Sequence, residues 1–62
     1  MFRCRIVKDH CFTIERSSAS GIYTVTLRAG ITILAKMRFD TGRAAWQAFR
    51  SSPETFMMTV TA

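Results

Sequence analysis

Apolar and polar residues alternate in four successive segments of the first 39 residues, and the alternation then stops. The four segments cover residues 2–8, 11–16, 22–28 and 31–39. A period of two, with β-branched and aromatic residues, is typical of strands that bury one face. Short connections join strands that run antiparallel. The sequence therefore predicts a four-stranded antiparallel sheet.

The turns between the strands determine which side chains share a face. We predict a three-residue loop over 8–10, because it pairs Ile6 near Phe12 and brings two apolar faces together. A loop over 28–30, with Gly30 in a left-handed position, keeps Leu27 and Ile31 on one side. With these loops the buried face carries Phe2, Cys4 and Ile6 of the first strand, and the other face carries Arg3 and Arg5.

The spacing of apolar residues changes to a helical period after residue 39. Asp40 or Thr41 can cap a helix over 43–51, which presents Ala45, Trp46 and Phe49 as one apolar stripe. A helix this short is unstable in isolation, so we expect its aromatic stripe to pack on the sheet. Pro53 then ends the helix.

The last ten residues support two interpretations. Ser52, Pro53 and Glu54 are typical of a helix start. Residues 55–62 nevertheless alternate cleanly and contain three Thr and one Val, which favours a strand. We predict a fifth, C-terminal strand. The expected fold is a single α+β domain over 1–62, with the antiparallel sheet covered on one face by one helix.

The charge of the chain points to an acidic partner. The formal net charge is +5, and seven of the nine basic residues are Arg, which pairs bidentately with carboxylate or phosphate. The predicted partner-binding residues are the cations of the sheet face opposite the helix: Arg3, Arg5, Arg28, Lys36 and Arg38. A nucleic acid or an acidic protein face would suit them. The alternative is a solvated polar face whose charge serves solubility.

The sequence shows no arrangement typical of a catalytic or metal site. Each of the four acidic residues has an ordinary explanation in a turn, a cap or a surface pair. Cys4 and Cys11 alternate onto opposite faces, which argues against a disulfide and makes Cys4 a small core residue. His10 is expected to be a solvated turn residue. We therefore expect no enzymatic activity, no metal and no cofactor.

The sequence also shows no segment typical of a membrane span or an export signal. The longest apolar run, residues 31–35, is far below the roughly 20 residues of a membrane span. Three basic residues lie in 1–8 and no apolar segment follows, so we expect no signal peptide. These observations favour free thiols and a cytoplasmic location.

The stretch 37–49, MRFDTGRAAWQAF, runs from a strand directly into a helix of small and aromatic residues. This layout resembles the end of many small phage and prophage accessory proteins, including some anti-CRISPR inhibitors. The resemblance is architectural, covers about the second half of the chain and carries over no functional residue. It implies a protein that blocks or redirects a host protein. Many such inhibitors are acidic mimics of nucleic acid, whereas this chain is basic.

The leading functional hypothesis is a small non-enzymatic protein of phage or mobile-element origin that occludes a larger protein in the host cytoplasm. One alternative is a nucleic-acid-binding module that uses the basic sheet face. Another is a structural subunit that forms homodimers through an edge strand.

Overall fold

A computed structural model describes the backbone of residues 2–61 and the side chains of residues 2–60. The elements in chain order are β1 (Phe2–Val7), β2 (His10–Arg16), β3 (Tyr23–Ala29), β4 (Thr32–Phe39), α1 (Gly42–Arg50) and α2 (Pro53–Thr61). The strands form one antiparallel sheet in the order β1-β2-β3-β4. The predicted α+β fold with a four-stranded antiparallel sheet is confirmed.

The hydrophobic core lies between the sheet and the two helices, which pack mainly on β2, β3 and β4. Its buried members are Phe12, Ile14, Val25, Leu27, Ala35, Ala45, Phe49 and Phe56. Phe12 is central, because its ring makes edge-to-face contacts with Phe49 of α1 and Phe56 of α2. Aromatic pairs of this geometry contribute about 0.5–1.5 kcal/mol each beyond their buried area. One side chain of β2 therefore joins both helices to the sheet.

The first hairpin has a different register from the predicted one. Its turn contains two residues, Lys8 and Asp9, so Val7 pairs with His10 and Arg5 pairs with Phe12. A shift of one residue exchanges the two faces of a strand. The prediction that Phe2, Cys4 and Ile6 face the core is therefore wrong, and all three are exposed.

Turning the apolar residues of β1 towards the helices would bury little of their surface. The helices lie over β2, β3 and β4, so either face of this edge strand offers Phe2 and Ile6 only partial cover. Lys8 adopts a φ of 54°, the left-handed conformation that a tight two-residue turn places on its first residue. The register is consequently decided by the turn and by the contacts of Arg5, not by the hydrophobicity of β1.

For the second hairpin, the prediction of which side chains face the helices is correct away from the turn and wrong near it. Ala35, Met37 and Phe39 lie on the helix side opposite β3, as predicted. The turn is again two residues long, at Gly30 and Ile31, and Ile31 is exposed. A β-bulge beside Leu27 and Arg28 then restores the predicted facing but not the predicted pairing, because Leu27 pairs with Ala35 and not with Ile31. It leaves Ile33 opposite Arg28 on the other side.

Helix α1 follows its prediction closely. The hydroxyl of Thr41 accepts a hydrogen bond from the Ala44 amide, so Thr41 is the N-cap. Ala45 and Phe49 are buried, while Trp46 is half-buried and meets Phe49 edge to face. The predicted apolar stripe is confirmed.

The predicted fifth strand is wrong, because residues 53–61 form α2; Ala62 lies outside the described residues. Ser52 caps this helix by accepting a hydrogen bond from the amide of Thr55, and Pro53 occupies its first position. Among the described side chains of α2, Pro53 and Phe56 are buried and Val60 is half-buried, and this spacing of three and four is helical. Capping and the burial of Phe56 against the sheet outweigh the β-propensity of the threonines.

Two phenylalanines test this fold against the predicted one. Phe56→Ala should destabilise the protein by about 3–5 kcal/mol, because Phe56 is fully enclosed by the core. Phe2→Ala should change the free energy of unfolding by less than about 1 kcal/mol, because the Phe2 side chain is largely exposed. Urea denaturation measures both.

Phe56→Leu extends this test, since the alanine variant can unfold so small a domain. The free energy of unfolding of Phe56→Leu should lie between that of the wild type and that of Phe56→Ala. A large loss of stability in Phe2→Ala would instead support a buried first strand and contradict the register described above.

Candidate binding face of the sheet

The helices pack on one face of the sheet and leave the other open, and we call this other face the uncovered face. Cross-strand partners share a face, so the register defines its members. They are Phe2, Cys4 and Ile6 of β1, Cys11, Thr13 and Glu15 of β2, Thr24, Thr26 and Arg28 of β3, and Ile33, Lys36 and Arg38 of β4. The three threonines occupy the centre, on β2 and β3.

Apolar side chains lie at both edges of the uncovered face. Phe2, Ile6 and Ile33 are 62%, 76% and 57% exposed. Ile6 and Ile33 belong to one cross-strand row, with Cys11 and Arg28 between them. Sequence reasoning missed this apolar character, because it predicted that Phe2 and Ile6 were buried. A large exposed apolar residue is ordinary singly, but three on one flat face are characteristic of a contact surface.

The structure separates the five predicted binding residues into two groups. Arg28, Lys36 and Arg38 lie together on β3 and β4 of the uncovered face. Arg3 and Arg5 lie on the opposite face, because Arg5 pairs with Phe12 and Arg3 pairs with Ile14. The prediction that all five form one continuous face is therefore wrong. None of the three remaining cations makes an ion pair with a carboxylate of residues 2–60.

Arg5 has a structural role that accounts for its position. Its guanidinium donates hydrogen bonds to the carbonyl oxygens of Phe49 and Ser51, at 2.8 and 3.0 Å. The same group lies 5.1 Å from the centre of the Phe12 ring and 5.9 Å from that of Phe49. Arg5 thus satisfies carbonyl groups at the end of α1, where a cation is also favoured by the helix dipole. It is half-buried and is not available as a surface contact.

A shallow groove of about 690 Å³ adjoins one end of the uncovered face. Its lining comes from the loop after β2 and from the end of β4: Ser17, Ser20, Ile22, Thr24, Arg38, Phe39 and Asp40. Backbone bonds between Ser17 and Ile22 and between Gly21 and Ser17 close this loop. Arg38 is the cation of the groove, and Asp40 supplies an opposing charge, so the groove has no strong preference for an anion.

Cys4 and Cys11 lie on the same face, and the prediction of opposite faces is wrong. Cys4 pairs with Thr13 and Cys11 pairs with Ile6, which makes the cysteines diagonal neighbours on adjacent strands. Their sulfur atoms are 2.9 Å apart and share a hydrogen bond. This hydrogen bond is the main cause that raises the pKa of the Cys4 thiol above its ordinary value. Cys4 is exposed, so it is not a core residue.

His10 is the first residue of β2 and is half-buried, so its prediction as a solvated turn residue is wrong. Within the described residues, no group of three or more His, Cys, Asp or Glu side chains could hold a metal ion. None of the helices in this part of the chain is both long and apolar enough to cross a membrane.

No family model matches the chain, and no curated protein or solved structure is significantly similar to it. The function is therefore inferred from the residues of the uncovered face.

Replacement of Arg5 tests its structural role. Arg5→Ala should destabilise the protein by about 2–4 kcal/mol, because two charge-assisted hydrogen bonds and the stacking on Phe12 are lost. Arg5→Lys keeps the charge without the bidentate geometry and should fall between that variant and the wild type. Arg3→Ala, an exposed arginine of the same strand and face, should stay within about 0.5 kcal/mol. Equal effects of the two alanine variants would refute the assigned role.

The sulfur contact makes a prediction about pH. In Cys11→Ala the hydrogen bond to Cys4 disappears, so the pKa of Cys4 should fall towards its ordinary value. A lower pKa gives more thiolate at a given pH below it, and the thiolate is the nucleophile. The pH midpoint for alkylation of Cys4 by iodoacetamide should therefore move down relative to Cys4 in the wild type, resolved by peptide mass spectrometry. Thr26→Ala is the control and should leave the midpoint in place.

Proposed function

We propose that this chain is a non-enzymatic binding protein whose uncovered face docks on an acidic and partly apolar surface of a larger protein and occludes it. The observation that carries the proposal is the exposure of Phe2, Ile6 and Ile33 on the same face as three cations that form no ion pair within residues 2–60. Protein interfaces combine apolar anchors with arginine in this way.

The apolar side chains provide the gain in free energy. Burial of a large apolar side chain contributes about 1.5–3 kcal/mol relative to its exposed state. Phe2 and Ile6 project from an edge strand of a short, well-paired sheet, so little further ordering of the backbone is needed on binding.

The cations provide the preference for an acidic partner. Lys36 and Arg38 are exposed, and their charge would steer association with a negative surface. Arg28 is half-buried, and its Nε–H is buried without a hydrogen-bond acceptor in the described structure. An unsatisfied buried donor is unfavourable by about 1–3 kcal/mol. A partner carboxylate that draws this guanidinium outward would supply the acceptor.

The wider setting of the proposal rests on size and layout. A 62-residue sheet-and-helix fold with one open face is suited to blocking a partner. We place it among phage or mobile-element proteins that act in the host cytoplasm, with an anti-defence inhibitor such as an anti-CRISPR protein as the example. This part of the proposal is supported by the architectural resemblance alone.

Binding of single-stranded nucleic acid is the second candidate, and one observation favours it. The ring of Phe2 is exposed on the same face as Arg38, in one cross-strand row, whereas the predicted register had buried it. An aromatic ring beside cations can stack a base while they contact phosphates. The single aromatic residue and the neighbouring Glu15 make this surface a poorer match for nucleic acid than for protein.

Charge and polarity reversals on the uncovered face test the leading proposal. Ile6→Glu and Lys36→Glu should each weaken capture of a partner from bacterial lysate at physiological salt by tenfold or more, since about 1.4 kcal/mol corresponds to tenfold in affinity. Ile31→Glu in the second turn and Arg43→Glu on α1 are matched controls away from the face, and they should retain the same partner. Equal capture by all four variants would rule out the uncovered face.

Two further measurements separate the alternatives. Fluorescence anisotropy with a labelled single-stranded oligonucleotide should show no binding at physiological salt under the leading proposal. Binding that weakens linearly with salt on a log–log plot, and that is lost in Phe2→Ala, would favour nucleic acid instead. Light scattering at high concentration should show a monomer, and a dimer would favour self-association through an edge strand.

A further inference from the structure

Two thiols meet on the uncovered face, between the exposed side chains of Phe2 and Ile6. The sulfur atoms of Cys4 and Cys11 are 2.9 Å apart, although the residues belong to different strands. Their position follows from the register, in which each cysteine lies opposite the residue two places from the other. The juxtaposition is thus a property of the hairpin.

We propose that Cys4 and Cys11 are a dithiol modification site that closes to an intramolecular disulfide by exchange with a low-molecular-weight disulfide. The site takes small disulfides such as oxidised glutathione as its reactant. This inference goes beyond the proposed function and does not depend on it.

The exchange takes place in two balanced steps. One protein thiol gives up its proton to solvent, and its thiolate attacks a sulfur of the small disulfide; that S–S bond breaks and one small thiolate leaves. The second cysteine, also as thiolate, attacks the protein sulfur of the mixed disulfide and releases the other small thiolate. Both leaving thiolates take up protons. The two protein thiols are oxidised and the small disulfide is reduced to two thiols.

The short distance between the two sulfur atoms favours the second step, closure of the disulfide, over attack on the mixed disulfide by another small thiol. A disulfide has an S–S length of about 2.05 Å, so the sulfur atoms need to approach each other by less than 1 Å from their distance in the hairpin. Cys4 is exposed and can meet the reactant, while Cys11 is held beside it by β2. An intramolecular attack over this distance should be faster than attack by a second small thiol.

The hydrogen bond between the two thiols affects the rate of the exchange and leaves its disulfide product unchanged. It raises the pKa of Cys4, so less thiolate is present near neutral pH and exchange should accelerate as the pH rises. A metal ion is a weaker assignment for the pair, since the described residues contain no third ligand close by.

The test uses the whole reduced chain in mixtures of reduced and oxidised glutathione. After quenching with acid and alkylation, mass spectrometry counts the free thiols. Both thiols should disappear together as the mixture becomes more oxidising, in a monomer that retains no glutathione. Cys4→Ser and Cys11→Ser should each stop at a stable mixed disulfide with one glutathione, because the resolving thiol is missing.

Three results would overturn the proposal: two free thiols in strongly oxidising mixtures, a product that carries two glutathione molecules, or a covalent dimer. The melting temperature provides an independent readout. The bridge closes a short loop within a native hairpin, so it should raise the melting temperature by on the order of 10 °C. A lower melting temperature would mean that the native register must break to form the bond, which also contradicts the proposal.

Discussion

The two-residue turn at Lys8 and Asp9 decides which side of β1 faces the helices, and most features of functional interest depend on it. A turn one residue longer would exchange the faces of the whole strand. With the observed turn, Arg5 lies over Phe12 and reaches the end of α1, while Phe2 and Ile6 project from the other face. The same register brings the two cysteines together. The conformation of this one turn therefore determines the structural role of Arg5, the exposure of Phe2 and Ile6, and the contact between the two cysteines.

Arg5 connects the edge strand β1 to the end of helix α1. The helices pack mainly on β2, β3 and β4, and the apolar side chain that β1 packs against the core is the half-buried Val7. A long arginine extends its stem along the sheet and its guanidinium across the Phe12 ring to the helix carbonyls. The positive charge of the chain is consequently not all available to a partner. Part of it stabilises the fold, and the cations left on the uncovered face are those of β3 and β4.

The uncovered face combines features that point to a contact surface, and its chemistry differs from the one expected from the sequence. The expected face was basic, with five cations and with Phe2 and Ile6 buried on the opposite side. The observed face has fewer cations and gains Phe2, Ile6 and Ile33. Apolar anchors beside a small cationic group favour a protein partner over a phosphate backbone, which would need more charge. The exposed apolar residues on this face are the part of the proposal that the sequence did not predict.

Local patterns by themselves determined the four strands, the antiparallel meander and the first helix with a cap at Asp40 or Thr41, because periodicity and capping depend on near neighbours. The structure identifies Thr41 as the cap. They also showed which threonines and which β4 cations share the uncovered face. Tertiary structure decided the register of β1, since alternation is identical in two registers that differ by one residue. It also decided that residues 53–61 form a helix, because alternation and helix-start signals coexist there and only the enclosure of Phe56 by the core favours one of them. The positions of Arg5 and the cysteine pair follow from the register, so they too became visible only in the folded chain.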